Sequence, residues 1–234
     1  MRNTLIKLIV AAGLLTTSLL ADSTNYTASL STGYTTGVQR YAVNQAGSAA
    51  EVAANIELNG VPYVSHYYVG ATVDLPFAAE SKLTVLSTGI RRELAYGFSA
   101  QAGVEYAIRD SNKNDFLVDG RLVYSGLKVV DPYVGYGYDF NNRLQVAEAG
   151  VPFSFNINIP YVPTLGVRLV AAYGRYESVS KDIWQSVRGG AGLDVHLFGP
   201  LNAFADVNYF HALEKSSVTL DNKWLGTVGI KAKF

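Results

Sequence analysis

Along most of the chain apolar and polar residues alternate one by one, which is the period of a strand with one apolar face. Leu94, Tyr96, Phe98, Ala100, Ala102, Val104, Tyr106 and Ile108 share one face of a long run. Ala95, Gly97, Ser99, Gln101, Gly103, Glu105, Ala107 and Arg109 share the other. The pattern recurs at Ala147, Ala149, Val151, Phe153, Phe155, Ile157 and Ile159, opposite Glu148, Gly150, Pro152, Ser154, Asn156 and Asn158. Pro152 has no N–H and costs that strand one ladder bond. Further strands are predicted at 50–58, 61–75, 116–124, 130–140, 165–173, 187–197, 201–209 and 224–234. Residues 26–34 alternate weakly, and 82–92 keep no clear phase. Counting both gives twelve strands. Assigning 50–58 to a loop and 82–92 to a turn gives ten, and either even count brings the first and last strands to the same end.

Asn59-Gly60 is the strongest two-residue hairpin signal, because a type I′ turn needs positive φ at both positions. Other breaks fall at 125–126, 161–163 and 198–200 on one side, and at 110–115, 141–143, 177–182 and 213–222 on the other. Short turns are thus expected to alternate with polar, somewhat longer loops.

The first residues follow a different rule. Met1-Arg2-Asn3-Thr4-Leu5-Ile6-Lys7 is short and positive, and Leu8 to Ala21 is apolar up to the first acid, Asp22. These 14 residues are too few for a spanning helix, which needs about 20, and they fit a secretory signal peptide cleaved after Ala21. No later stretch is apolar for as long as a spanning helix requires. Residues 1–21 are therefore expected to be a signal peptide and residues 22–234 one domain.

Composition narrows the class. Of the 234 residues 49% are hydrophobic and only 16% charged, below the roughly 25% of soluble domains. Lys+Arg and Asp+Glu are 19 each, so no basic excess recruits nucleic acid. Removing Arg2 and Lys7 leaves 17 bases against 19 acids, a mature net charge of −2. The absence of cysteine excludes a disulfide scaffold, a thiol nucleophile, a Cys-ligated metal and a lipidated N-terminal cysteine.

Alternation by itself does not say whether the apolar face meets a core or lipid. Here the opposite face carries Gly70, Gly97, Gly103, Gly135, Gly137, Gly166, Gly174, Gly190, Gly192 and Gly229, which suits a crowded interior. Aromatic residues gather near the predicted ends as two girdles: Phe116, Phe140, Trp184 and Trp224 at the long-loop side, and Tyr161, Phe198 and Phe234 at the short-turn side. Trp224, Gly226, Val228, Ile230, Ala232 and Phe234 share one face of the last strand, and the final residue is itself Phe. This end resembles the terminal-strand signature of bacterial outer-membrane barrels. The resemblance implies that the barrel-assembly machinery reads Phe234 and Ile230. Asp131-Pro132-Tyr133-Val134-Gly135-Tyr136-Gly137-Tyr138 also resembles the P-Y-x-G-x-G strand of small opacity-type and OmpA-like barrels.

An enzyme in such a barrel needs a base within reach of a nucleophile or water, which makes the three histidines the candidate bases. His66 and His196 fall on the polar face, His196 two residues from Asp194, and His211 falls near the start of an outer loop. Ser186 completes a triad only by inventory, since ten positions separate it from His196 along a strand. No metal-ligand spacing and no phosphate loop are present in the sequence pattern. A hydrogen-bonded lumen network is the expected role, with no catalytic residue and no cofactor.

The polar face carries both signs of charge. Glu51, Glu57, Asp74, Glu105, Asp119, Asp131, Asp139, Glu148, Asp194 and Asp206 meet Arg109, Arg121, Arg168, Arg188, Lys231 and Lys233. Glu105, Asp119, Arg121, Glu148, Arg168, Arg188, Asp194 and Asp206 are the candidate lumen-lining residues. In a narrow barrel such charges pair and plug the interior; in a wider one they line water and tune ion passage. Arg168 is mid-strand between Gly166 and Val170 and needs a carboxylate, with Glu148 on the preceding strand as the candidate. Only 35–49 is a long loop, which argues against a recognition barrel.

The expectation is an all-β protein: a single transmembrane antiparallel up-and-down β-barrel, with twelve strands preferred over ten, in the outer membrane of a Gram-negative bacterium. It would be a small passive porin for ions or small solutes, with a plugged structural or adhesin-like barrel as alternative and a hydrolase behind both. Its partners would be outer-membrane lipids, the barrel-assembly machinery and small solutes.

Overall fold

The computed structural model describes residues 26–36, 38–40, 43–46, 48–60, 64–77, 82–109, 114–157, 165–178, 183–213 and 223–234. The expected signal peptide and Tyr161 lie outside them. Within this set the chain is almost entirely strand: β1 Tyr26–Thr35, β2 Val38–Arg40, β3 Val43–Ala46, β4 Ala49–Asn59, β5 His66–Pro76, β6 Leu83–Glu93, β7 Phe98–Arg109, β8 Asp115–Tyr124, β9 Tyr133–Asp139, β10 Leu144–Ile157, β11 Leu165–Ser178, β12 Ile183–Phe198, β13 Leu201–Ala212 and β14 Lys223–Lys233. Twelve of them close into one antiparallel barrel in sequence order, β1 pairing with both β4 and β14; β2 and β3 form a separate two-stranded ribbon in the first connection. The ten-strand alternative falls, because Ala49–Asn59 and Leu83–Glu93 both pair on two sides.

Closure satisfies every edge, as a barrel in lipid requires. At the seam Ser29 pairs with Lys233 and Thr35 with Thr227, and Ala28 and Phe234 exchange backbone bonds of 3.1 and 2.8 Å. The outer face is apolar: Leu30, Val69, Leu86, Val104, Val118, Val134, Val151, Leu169, Leu193, Val207 and Val228 occupy alternate positions that point away from the lumen.

Two expectations about boundaries are corrected. The run from Leu94 is broken, since residues 94–97 form a turn with Tyr96 at φ 59° and Gly97 at φ 80°, and β7 begins at Phe98. The apolar phase continued through this turn because Leu94 and Tyr96 are rim residues, Tyr96 being 92% exposed. Gly97 therefore belongs to that turn rather than to the lumen face. After Asn59-Gly60 the chain does not reverse in two residues: Gly60 has φ 70°, its N–H donates to Ser65 O at 2.8 Å, and β5 starts only at His66. The phase of β6 was unreadable because both faces are mixed, with Leu86 and Ile90 outward beside Thr84 and Thr88, and Leu83 and Val85 inward beside Ser87 and Arg91.

Most of the buried side chains gather toward one end of the lumen. Thr35, Ala49, Asp74, Leu83, Ala107, Asp115, Leu117, Asp139, Leu144, Val146, Tyr176, Ser186 and Leu225 are buried, and each is near the end of its strand that leads to the 35–49, 76–83, 109–115, 139–144, 178–183 and 212–223 connections; Ser99 and Tyr133, at the other ends of β7 and β9, are the exceptions among the buried side chains. Toward the opposite end Ser154, Asn156, His196, Lys231 and Lys233 are exposed. The lumen is packed at the loop end and open at the turn end. The length contrast between connections is weaker than expected, for 110–114, 140–143 and 179–182 are short and 125–132 and 158–164 on the turn side are longer.

Candidate functional site: the lumen

Two cavities occupy the lumen. One of about 590 Å³ lies against β7 to β13 and is lined by Glu105, Asp119, Arg121, Tyr133, Glu148 and Arg188 among others. The second, about 470 Å³, lies against β1, β4 and β11 to β14, where Glu51, Asn55, Arg168, Asp194, Asp206 and Lys231 face it. All eight candidate lumen residues line one of the two: five the larger and Arg168, Asp194 and Asp206 the smaller.

Around the smaller cavity Arg168 bridges two carboxylates. Its Nη2 donates to Asp206 Oδ1 at 2.9 Å, and its Nη1 pairs with Asp194. The register explains this: Arg168 is opposite Gly192, and Gly192 is opposite Asp206 and two positions from Asp194. The expected partner Glu148 is corrected. Glu148 stands opposite Gly174, six positions along β11 from Arg168 and thus about 20 Å away.

Glu148 instead belongs to the larger cavity. The Tyr133 hydroxyl donates to its carboxylate, and Arg188 Nη2 lies 3.8 Å from Glu148 Oε1 and 3.5 Å from the Tyr133 hydroxyl. The Arg121 guanidinium stacks over the Tyr133 ring at 4.4 Å and that of Arg188 faces Phe210 at 5.8 Å, a favourable placement of cations on aromatic faces. Sequence reasoning missed these inward aromatics. Their signal was the glycine opposite: a Cβ at Gly150 would meet the Tyr133 ring at 2.6 Å, so glycine leaves the ring its place.

The histidines form no catalytic set. His66 Nδ1 lies 2.7 Å from Asn59 Oδ1 and 3.0 Å from Glu57 Oε1, and Nε2 lies 3.5 Å from Glu93. Arg91 joins Glu57 at 3.4 Å. His196 Nδ1 meets Asn202 Oδ1 at 3.3 Å, while its neighbour Asp194 is engaged by Arg168. Ser186 is buried at the loop end, about 30 Å from His196 along β12.

At the two rims, Phe116 and Phe140 pack with ring centroids 5.6 Å apart, Tyr138 meets Phe140 edge-on at 4.9 Å, and Tyr209 meets Trp224 at 4.7 Å. Phe198 and Phe234 are exposed at the turn end, and Phe98 and Tyr124 add a pair 4.8 Å apart there. Trp184 is in register with Tyr176, and its side chain lies outside the described set. Ile230 stands opposite Thr32 and Ala203 on the outer face.

A closed antiparallel barrel with an apolar exterior and a polar, charge-lined interior has the fold of membrane-spanning β-barrels. No protein-family model matches the chain, and no curated protein matches it in sequence. In structure it is similar to the KdgM porin, with a TM-score of 0.56 and 11% identity over 88% of this chain and 99% of that one. The NanC porin gives the same score and identity over 88% and 100%. The KdgM porin has also been solved in complex with disordered oligogalacturonate. LpxR from Salmonella typhimurium follows at 0.52 and 10% identity over 87% and 99%. At these identities the likeness is one of fold.

Proposed function

We propose that the protein is a small passive porin of a Gram-negative outer membrane, passing ions and small solutes through a lumen lined by paired charges, and that it is not an enzyme. The carrying observation is the pair of polar cavities inside a closed twelve-stranded barrel. Mixed charges in a water-lined interior tune passage rather than block it. Five described guanidiniums pair with carboxylates: Arg168 with two, Arg188 with Glu148, Arg91 with Glu57, Arg109 with Asp115 and Arg175 with Glu177, while the two cavity linings hold seven acids against four bases. That excess of acids favours neutral solutes and cations over carboxylate-bearing chains like the oligogalacturonate of the KdgM complex.

In this reading the aromatic rims sit at the two lipid interfaces, Phe234 and Ile230 present the assembly signal, and the packed loop end is the constriction a solute must pass. The test is planar-bilayer recording of the purified, refolded protein. Discrete conductance steps are expected, and a silent bilayer with correctly folded protein would overturn the porin reading and favour a plugged barrel.

A further inference from the structure

Three buried carboxylates mark the packed end of the lumen, and two are well served. Asp115 pairs with Arg109 and accepts from Asn142 Nδ2 at 2.7 Å. Asp139 accepts from Asn142 Nδ2 at 2.8 Å and from the backbone N–H groups of Asn141 and Asn142 at 3.0 and 3.1 Å. Asp74 differs: it is 2% exposed, and its Oδ1 has no hydrogen-bond partner.

Directly opposite Asp74 in the β4–β5 register stands a second acid, Glu51. Both positions are on the lumen face, and like charges placed so on adjacent strands repel. The described cations nearest in register are engaged elsewhere or turned to solvent: Arg109, opposite Leu83, pairs with Asp115, Arg168 is held by Asp194 and Asp206, Lys231 lines the cavity that Glu51 faces and is exposed, and Lys82 beside Leu83 is exposed. Leu83 of β6 is opposite Asp74, Ala49 precedes Glu51 on β4, and β1 contributes the buried Thr35, which accepts from the Thr227 hydroxyl at 3.2 Å. Glu51 lines the 470 Å³ cavity, so its carboxylate is reached from the lumen, with the buried Asp74 behind it on the neighbouring strand.

A carboxylate removed from water needs a counter-charge or a proton. We infer that Glu51 and Asp74 together hold a hard divalent cation of the Ca²⁺ or Mg²⁺ class at the loop end of the lumen. Such ions take oxygen ligands, at about 2.3–2.6 Å for Ca²⁺, and readily complete a carboxylate pair with solvent. Two protein carboxylates make a weak site, with a Kd on the order of 0.1–1 mM, the range of extracellular modules. The ion would tie β4 to β5 just inside the 35–49 connection.

The experiment is equilibrium dialysis of the refolded full-length barrel against radioactive calcium at pH 7.5, with unlabelled Mg²⁺ as competitor. One saturable site is expected, weakened at least tenfold by Asp74→Asn and by Glu51→Gln and unchanged by Glu177→Gln, a partly exposed acid outside both cavity linings. Calcium should also raise the unfolding temperature of the wild type and leave that of Asp74→Asn unmoved, a readout that keeps the test valid whichever variant folds better. No saturable binding between pH 6 and 8.5 would overturn the inference and leave a shared proton as the way the pair is neutralised. Equal binding by wild type and both variants, or weakening by only one of them, would overturn it as well. Because binding is measured without conductance, a silent bilayer would remove the porin reading and leave this one standing.

Discussion

The two ends of the lumen are built from the same alternating strands and end in opposite states. At the loop end Leu117, Leu144, Val146, Tyr176 and Leu225 turn inward and are buried together with Asp74, Asp115 and Asp139. At the turn end the inward Ser154, Asn156, His196, Lys231 and Lys233 are exposed, and water reaches them. Stability of the interior is therefore concentrated at one end, where apolar side chains exclude water. In the proposed porin, selectivity falls to the middle, where Arg168 and Arg188 meet their carboxylates beside the cavities. Energy follows burial: a buried apolar side chain contributes about 1.5–3 kcal/mol, and a half-exposed ion pair about 0–1 kcal/mol.

The largest effect should come from emptying the packed end. Leu117 is fully buried, and Leu117→Ala is expected to destabilise the barrel by about 2–5 kcal/mol in a urea-unfolding series. It should also raise single-channel conductance, since the lost side chain faces the lumen. Asn156→Ala at the open end should stay within about 0.5 kcal/mol of wild type. Equal losses from both would erase the contrast.

The next test separates assembly from stability. Phe234→Ala keeps the backbone pair with Ala28 and removes only an exposed ring at the turn-end rim. Folded protein in outer-membrane fractions, read as heat-modifiable gel mobility, should fall severalfold, while the unfolding midpoint of refolded protein stays where it was. Normal assembly would remove the role assigned to the terminal aromatic.

In the middle of the lumen, Arg168→Ala frees Asp194 and Asp206. All three side chains are partly exposed, so the stability change should be at most about 1 kcal/mol after solvent screening. The reversal potential in a salt gradient should instead move toward cation selectivity. A large loss of stability with no change in reversal potential would make this cluster a plug.

The smallest effect concerns the outside. Residues 214–222 lie outside the described set, in the connection between β13 and β14. A tag inserted at Lys215-Ser216-Ser217 should label on intact cells and leave the unfolding midpoint unchanged. Labelling only after permeabilisation would place the packed end in the periplasm.

Much of this architecture could be read from the residues in order. A period of two needs no tertiary information, because successive side chains point to opposite faces of any strand. The run from Ala147 and the terminal face from Trp224 to Phe234 were visible for that reason, as was the lumen set from Glu105 to Asp206. Where the local pattern misled, a neighbour decided. The turn at 94–97 kept the apolar phase because its residues sit on a rim, and β6 lost its phase because both of its faces are mixed.

Which lumen charges meet was beyond the one-dimensional pattern. Glu148 and Arg168 are on adjacent strands, yet their register places them about 20 Å apart, and Arg168 finds Asp206 two strands away. The pairing of Tyr133 with Glu148, the burial of one end of the lumen and the opposition of Glu51 to Asp74 depend likewise on register and closure. Alternation specifies the face on which a residue stands. The pairing of strands around the barrel sets its height and its neighbours, because each hydrogen-bonded register is a relation between two distant segments of chain.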